Sequence, residues 1–183
     1  MIEFIEFPKM SRFDREIIIT EKLDGTNAQI YIAEDFSMLV GSRTRWITPE
    51  NDNYGFAKWA YENIEELSKL GPGSHFGEWW GGSIQRRYGV KERTFSLFNT
   101  HRWSDETVRP KCCSVVPVIW RGGLGNLNIK ELMSDFKAHG SYAVPGCMNP
   151  EGIVLFHTAS QLYFKKTFEK DDLSKFQIEK GLS

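Results

Sequence analysis

The sequence predicts an α+β fold built on antiparallel sheet, and two observations carry that reading. Short strand-like runs dominate the chain, and only two clear helical stripes interrupt them. The loops between are glycine-rich without any repeat or low-complexity linker, so no internal domain boundary is visible. A length of 183 residues, with 40% hydrophobic and 26% charged side chains, suits one well-buried domain.

The first strand-like run is 16–21 (EIIITE), followed by 27–33 with alternating Ala28, Ile30 and Ile32, and by 38–41. A helix is expected over 53–70. There Phe56, Trp59, Ala60, Ile64, Leu67 and Leu70 form one apolar stripe, and Gly71 and Pro72 supply the stop. Strands follow at 75–80, 94–99 and 114–120. A second helix spans 128–139, with Ile129, Leu132, Met133 and Phe136 at helical spacing, Asn128 as cap and Gly140 as terminator. Strands at 152–157 and 161–166 complete the sheet, and a short helix is expected at 171–179.

Charge and composition exclude several classes. Lysine and arginine number 23 against 24 aspartates and glutamates, a net charge of −1, so any grip on a polyanion must be local. No run approaches a membrane span, and the N-terminus lacks the order of a signal peptide, so a cytoplasmic protein is expected. Three cysteines, two of them adjacent, make neither a disulfide framework nor a zinc pattern and are expected as free thiols. The four histidines show no metal-ligand spacing.

The most informative segment is 20–27 (TEKLDGTN), where Lys22 sits just ahead of Asp24 and Gly25. Alone, Asp-Gly between two strands reads as a hairpin turn with a solvated lysine beside it. Downstream, SRTRW places Arg43 and Arg45 at a strand end, and FGEWWGG sets Glu78 inside an aromatic strand. An unpaired charge there would be costly unless it meets a ligand or metal. FSLFN adds Phe95 and Phe98, EGIVLF puts Glu151 before an apolar strand, and LYFKKT ends one in Lys165 and Lys166.

In this order the segments resemble the motifs of the covalent nucleotidyltransferase superfamily, which includes ATP-dependent DNA and RNA ligases and messenger RNA capping enzymes. Lys22-Leu23-Asp24-Gly25 matches the nucleophile motif K-x-D-G, Ser42-Arg43 the next and Phe76-Gly77-Glu78 the third. Phe98 matches the aromatic that follows, Glu151 to Val154 the fourth motif, and Lys165 with Lys166 the last. The resemblance implies a nucleotidyltransferase (adenylation) domain of the ATP-dependent ligase type over 1–168, a short tail or helix over 169–183, and no oligonucleotide-binding-fold domain.

The implied chemistry is attack of Lys22 on the α-phosphorus of ATP to form lysyl-AMP, with Mg²⁺ or Mn²⁺ as cofactor. A lysine attacks only when neutral, so burial or neighbouring cations such as Arg43, Lys165 and Lys166 must disfavour its ammonium. By resemblance, Glu151 serves the metal, Glu78 holds a ribose hydroxyl, Phe98 stacks on adenine and Arg43 contacts ribose or phosphate. Glu21, Asp24, Gly25 and Asn27 complete the nucleotide site. The family's last motif usually has its two lysines separated by one residue. Here they are adjacent, so on a regular strand they face opposite ways. Lys166 lies closest to the motif's second lysine, and a bulge would let both reach.

Asn27 and the preceding Glu21 look like the type 2 RNA ligases and RNA-editing ligases, whereas DNA ligases usually carry arginine at the Asn27 position. The expected activity is therefore ATP-dependent RNA ligation: AMP passes from Lys22 to a 5′-phosphate end, and a 3′-hydroxyl expels it. The alternatives are a small DNA ligase or a module that binds nucleotide or RNA without sealing. The expected partners are RNA ends or a nicked RNA duplex, with no membrane. A partner chain could supply a further nucleic-acid-binding domain, since few residues follow Lys166. Arg45, Trp46, Arg86 and Arg87 combine cations with stacking surfaces as RNA contacts would. An ordinary surface turn with paired arginines fits the loop holding Arg86 and Arg87 equally well.

Overall fold

The computed structural model describes residues 2–86, 88–169 and 171. Among the described residues ten strands form two sheets. They are β1 (Glu16–Lys22), β2 (Thr26–Ile32), β3 (Met38–Ser42), β4 (Trp46–Ile47), β5 (Gly73–Gly81), β6 (Arg93–Leu97), β7 (Cys113–Val115), β8 (Val118–Gly123), β9 (Gly152–His157) and β10 (Leu162–Thr167). The smaller sheet runs β10-β9-β1-β8 and the larger β4-β3-β2-β5-β6-β7. Every pairing is antiparallel except β6 with β7. Mixed α+β architecture dominated by antiparallel sheet is thus what the sequence patterns predicted. Among the described residues no helix is long and apolar enough to cross a membrane, and the cysteines are free.

Two expected elements differ, and one further helix appears. The helix expected over 53–70 is two short helices, α1 (Phe56–Glu62) and α2 (Ile64–Leu67), followed by a 3₁₀ turn at Ser68–Leu70. The break falls at Asn63, whose backbone leaves helical geometry and whose amide donates back to the Trp59 carbonyl at 2.8 Å. This local bond competes with helix continuation and turns Ile64 out to 41% exposure. The start is also later than expected, because Asp52 accepts the N–H groups of Ala57 and Lys58. The strand expected over 114–120 divides at Pro117 into β7 and β8, one in each sheet. Proline has no N–H for the ladder, and its carbonyl instead accepts the Glu21 N–H at 2.9 Å. A short helix not expected from the pattern, α3 (Thr100–Trp103), is capped by Asn99. The second long helix, α4 (Ile129–His139), has the Asn128 cap and the Gly140 terminator that its sequence specifies. The helix expected at 171–179 lies outside the described residues from 172 onward.

Strand alternation divides the larger sheet into two faces. Ala28, Ile30, Val40, Trp79, Phe95 and Leu97 join Phe56, Ala57, Ala60, Leu67 and Leu70 in the main core. The other face carries Asn27, Gln29, Phe76, Glu78, Ser96 and Arg43, and this is the face on which the site is built. In the smaller sheet Ile17, Ile19 and Ile153 pack under Met133 and Phe136 of α4. Thr20 and Lys22 alternate to the opposite face. The sheets join where β1 runs through Leu23 to Gly25 into β2. There Leu23 packs with Trp80, Tyr88 and Val116 in a small third core.

Phe136 is 1% exposed and anchors α4 to the smaller sheet. Phe136→Ala should destabilise the protein by about 3–5 kcal/mol, read as a lowered urea midpoint with unchanged slope. A cost below about 1 kcal/mol would show that α4 adds little to the core.

Candidate functional site

The turn after β1 brings the sequence-predicted residues together. Lys22 ends β1, and its Nζ lies 2.5 Å from Glu151 Oε2, with both side chains mostly buried. Glu151 is placed by the register of β9, in which Gly152 pairs with Lys22. Gly152 has φ of +154°, and a Cβ there would stand 2.2 Å from the Lys166 carbonyl oxygen, so a side chain would prise β10 from β9. At Gly25 a Cβ would lie 2.4 Å from the Trp79 carbonyl oxygen. The turn can approach β5 that closely only with glycine.

That approach gives Glu78 its partners. Its Oε1 accepts the Gly25 N–H at 3.0 Å and its Oε2 accepts the Asn27 side-chain amide at 3.4 Å. Glu78 is 8% exposed, and burial, aided by the like charges of Glu151 and Asp24, pushes its carboxyl up to about 7 against the pull of Lys22 and the Gly25 N–H. Burial likewise raises Glu151, with Lys22 opposing. Two buried carboxylates on different sheets thus converge on one lysine, an arrangement that would cost stability unless it serves chemistry.

Arg86 and Tyr88, on the loop between β5 and β6, hold the turn from the other side. The Tyr88 hydroxyl oxygen accepts the Asp24 N–H at 2.8 Å, and Arg86 Nε lies 3.1 Å from Asp24 Oδ2. Arg86 also donates to Asn149 Oδ1 at 2.8 Å and lies 3.8 Å from Glu169, so it ties the turn at Asp24 to the segment leading into Glu151. Gln85 and Tyr88, flanking this arginine, both adopt positive φ, a strained backbone that the surrounding contacts sustain. Tyr88 had no signal in the sequence, since its role follows from a loop conformation rather than from spacing. Arg86, expected among RNA contacts, is engaged in these bonds. Arg87 lies outside the described residues.

The lysines of the last motif separate by register. Lys165 pairs with Val154, which pairs with Thr20, so Lys165 shares the face of Thr20 and Lys22. Lys166 pairs with Ile153, opposite Glu21, on the other face, and its Nζ lies 2.6 Å from Asp171. Among the expected alternatives, the pairing is regular and has no bulge at this point. Glu21 is 1% exposed, and its Oε2 accepts the N–H groups of Tyr142 and Ala143 at 2.8 and 3.0 Å. Burial raises its carboxyl, and its side chain points away from the Lys22 face.

Arg43, Phe98 and Asn27 line a cavity of about 170 Å³ with Gln29, Ser42 and Phe76. Arg45 and Trp46 lie beyond it, both exposed. A larger cavity of about 770 Å³ lies behind Trp80, between β6, β7 and the 142–145 loop, and contains none of the sequence-predicted residues. Among the described residues no three metal-ligating side chains cluster as a metal site would require.

The family model for RNA ligase matches residues 15–175. Solved structures of a Naegleria gruberi RNA ligase resemble this fold. A variant without ligand is 21% identical with a TM-score of 0.63, and covers 93% of this chain and 52% of its own. A variant with ATP and Mn is 21% identical with a TM-score of 0.62 and the same coverage. A variant with AMP and Mn is 22% identical with a TM-score of 0.61, covering 92% and 52%. The chain therefore spans about half the length of these solved relatives. Among curated proteins none matches.

The position of Glu78 makes stability depend on pH. With its carboxyl raised from 4.5 to about 7, the folded protein binds more protons than the unfolded chain between those values. Stability should therefore fall as pH rises from about 4.5 to about 7, by on the order of 3 kcal/mol from this group. Urea unfolding of wild type and Glu78→Gln across that range checks this. The variant should lose that part of the pH dependence, and parallel curves would contradict the burial argument.

Proposed function

The chain belongs to the RNA ligase family, and from that premise we propose that it is an ATP-dependent RNA ligase whose nucleotidyltransferase domain, residues 1–168, forms lysyl-AMP on Lys22. The observation that carries the reading is the contact of Lys22 with the half-buried Glu151, near the buried Glu78 and with Lys165 on the same sheet face. The ATP and Mn seen with the Naegleria relative support nucleotide and metal use in this fold.

The nucleotide would enter the cleft between the sheets. Phe98 and Arg43 line a cavity beside Asn27, which suits stacking of adenine on Phe98 and contact of Arg43 with ribose or phosphate. Glu78, fixed by Gly25 and Asn27, is placed to accept a ribose hydroxyl. Attack requires the neutral amine of Lys22. Its Nζ lies 2.5 Å from Glu151 Oε2, which would take up the ammonium proton and pass it to solvent before the carboxylate holds the cation. As the Nζ to phosphorus bond forms, the bond from phosphorus to the bridging oxygen breaks and pyrophosphate leaves. Lys165 would stabilise the negative charge gathering on the phosphoryl oxygens. Glu151 would hold Mg²⁺ or Mn²⁺, which would supply positive charge against the negative charge of the reacting phosphate. AMP then passes from Lys22 to the 5′-phosphate of an RNA end, and a 3′-hydroxyl attacks the activated phosphate and releases AMP.

Arg86 and Tyr88 act through Asp24 as positioning residues, keeping the nucleophile turn in register with Glu151.

The test is incubation with α-labelled ATP and divalent cation, followed by denaturing electrophoresis. Wild type should carry label, chelation of the cation should abolish it, and Lys22→Ala should show none. Lys165→Ala should slow labelling by about 10²-fold, whereas Lys166→Ala should change it by less than about tenfold. Equal labelling of Lys22→Ala would overturn the assignment. A larger loss at Lys166 than at Lys165 would show that the phosphate is met from the opposite sheet face.

A further inference from the structure

Beyond the cavity at Phe98, the site face of the larger sheet continues uncovered among the described residues. Its rows follow from the register: Gln29 pairs with Phe76 and Gly41, Tyr31 with Ser74 and Leu39, and Gly41 with Trp46. The Trp46 ring lies over Gly41, where an added Cβ would stand 3.1 Å from it, and 6.3 Å from the Tyr31 ring. Phe76 is 53% and Trp46 50% exposed, although both sit on regular strands where exposed aromatic rings gain nothing from folding. Gln29 and Ser74 bond to each other between them at 3.0 Å, leaving further hydrogen-bonding capacity on the surface.

Arg43 lines the cavity beside Phe76, and Arg45 precedes Trp46 with its guanidinium donating to the Asn51 carbonyl at 3.4 Å. Glu78, on the same face, is buried, and Gln29, Tyr31, Gly41, Trp46, Ser74 and Phe76 contribute no carboxylate. In a chain of net charge −1, that is a local departure from the average surface. Aromatic rings interleaved with arginines accept successive bases by stacking while the cations follow the backbone phosphates. The strip is continuous with the cavity that Arg43 and Phe76 also line, so a strand lying on it runs to the nucleotide cleft.

We propose that this strip, from Phe76 across Trp46 to Tyr31 with Arg43 and Arg45 beside it, binds a single-stranded segment of RNA next to the end that receives AMP. The proposal rests on the RNA ligase reading and specifies its substrate: an end with unpaired, stackable bases, held without base-specific contacts. With two arginines the electrostatic footprint is small, so binding should weaken with salt along a shallow slope.

The experiment measures anisotropy of a labelled single-stranded oligoribonucleotide of about ten nucleotides, beside a duplex of the same sequence, and lysyl-AMP formation in the same preparations. Trp46→Ala and Tyr31→Ala should each weaken single-strand binding by about 5- to 20-fold, while leaving labelling with α-labelled ATP unchanged. Trp46→Phe, which keeps a stacking face, should restore most of the affinity. Arg45→Ala should lower the salt slope by about one. Unchanged affinity in both aromatic variants would overturn the proposal. So would tighter binding of the duplex, or self-association of the wild type that Trp46→Ala abolishes, since the face would then serve a helix backbone or a second copy. Absence of label in the wild type would instead remove the ligase reading, and the binding data would still decide the strip.

Discussion

The contact of Glu78 with the turn at Gly25 is the constraint on which the site depends. A carboxylate buried in the larger sheet accepts the N–H of a turn that belongs to the strand leaving the smaller one. The turn can come that close only because residue 25 has no side chain. Once it does, Lys22 is held at the turn, and the pairing of Lys22 with Gly152 brings Glu151 to it. Two sheets, a lysine and two carboxylates are fixed by one close approach of backbone to backbone.

The electrostatics follow from the same geometry. Glu78, Glu151 and Asp24 crowd one region, and burial and mutual repulsion raise the first two. Lys22 and Arg86 are the compensating cations, each tied to one carboxylate. Lys22 would lose its charge on forming a phosphoramidate, whereas a guanidinium does not, so Arg86 is the permanent counter-charge of the turn. Its bonds to Asn149 and its approach to Glu169 spread that role over chain segments far apart in sequence. The strained backbone at Gln85 and Tyr88 is a cost consistent with such a role.

The larger sheet serves its two faces unequally. One is closed by α1 and α2 around Phe56 and Leu67 and supplies most of the core. The other is covered at Trp80 by Tyr88 and Val116 and, among the described residues, stays open over Phe76 and Trp46. Strand alternation lets one set of backbone bonds hold a core and an exposed aromatic face at once. The aromatic strip and the cavity at Phe98 lie on the same sheet face.

Much of this was legible in the chain itself. The alternation of Ala28, Ile30 and Ile32, the Asn128 cap and Gly140 stop of α4, and the order of the segments around Lys22, Arg43, Glu78, Phe98 and Glu151 depend on local periodicity and composition, which a sequence displays directly. Other features were not legible, because they arise from pairing between distant strands. The division of 114–120 at Pro117 became visible only when its halves entered different sheets. The break at Asn63 needed the bond its side chain makes to Trp59. Which of two adjacent lysines shares the face of Lys22 is a question of register, and the pairing of Lys165 with Val154 and of Val154 with Thr20 answers it. The partners of Arg86 and Tyr88 likewise come from a loop closing over a turn more than fifty residues earlier. Sequence alone determined which residue types were available for chemistry and in what order, because those are properties of the chain. Only the tertiary structure decided which of them meet, because a strand's register assigns each side chain to one face or the other.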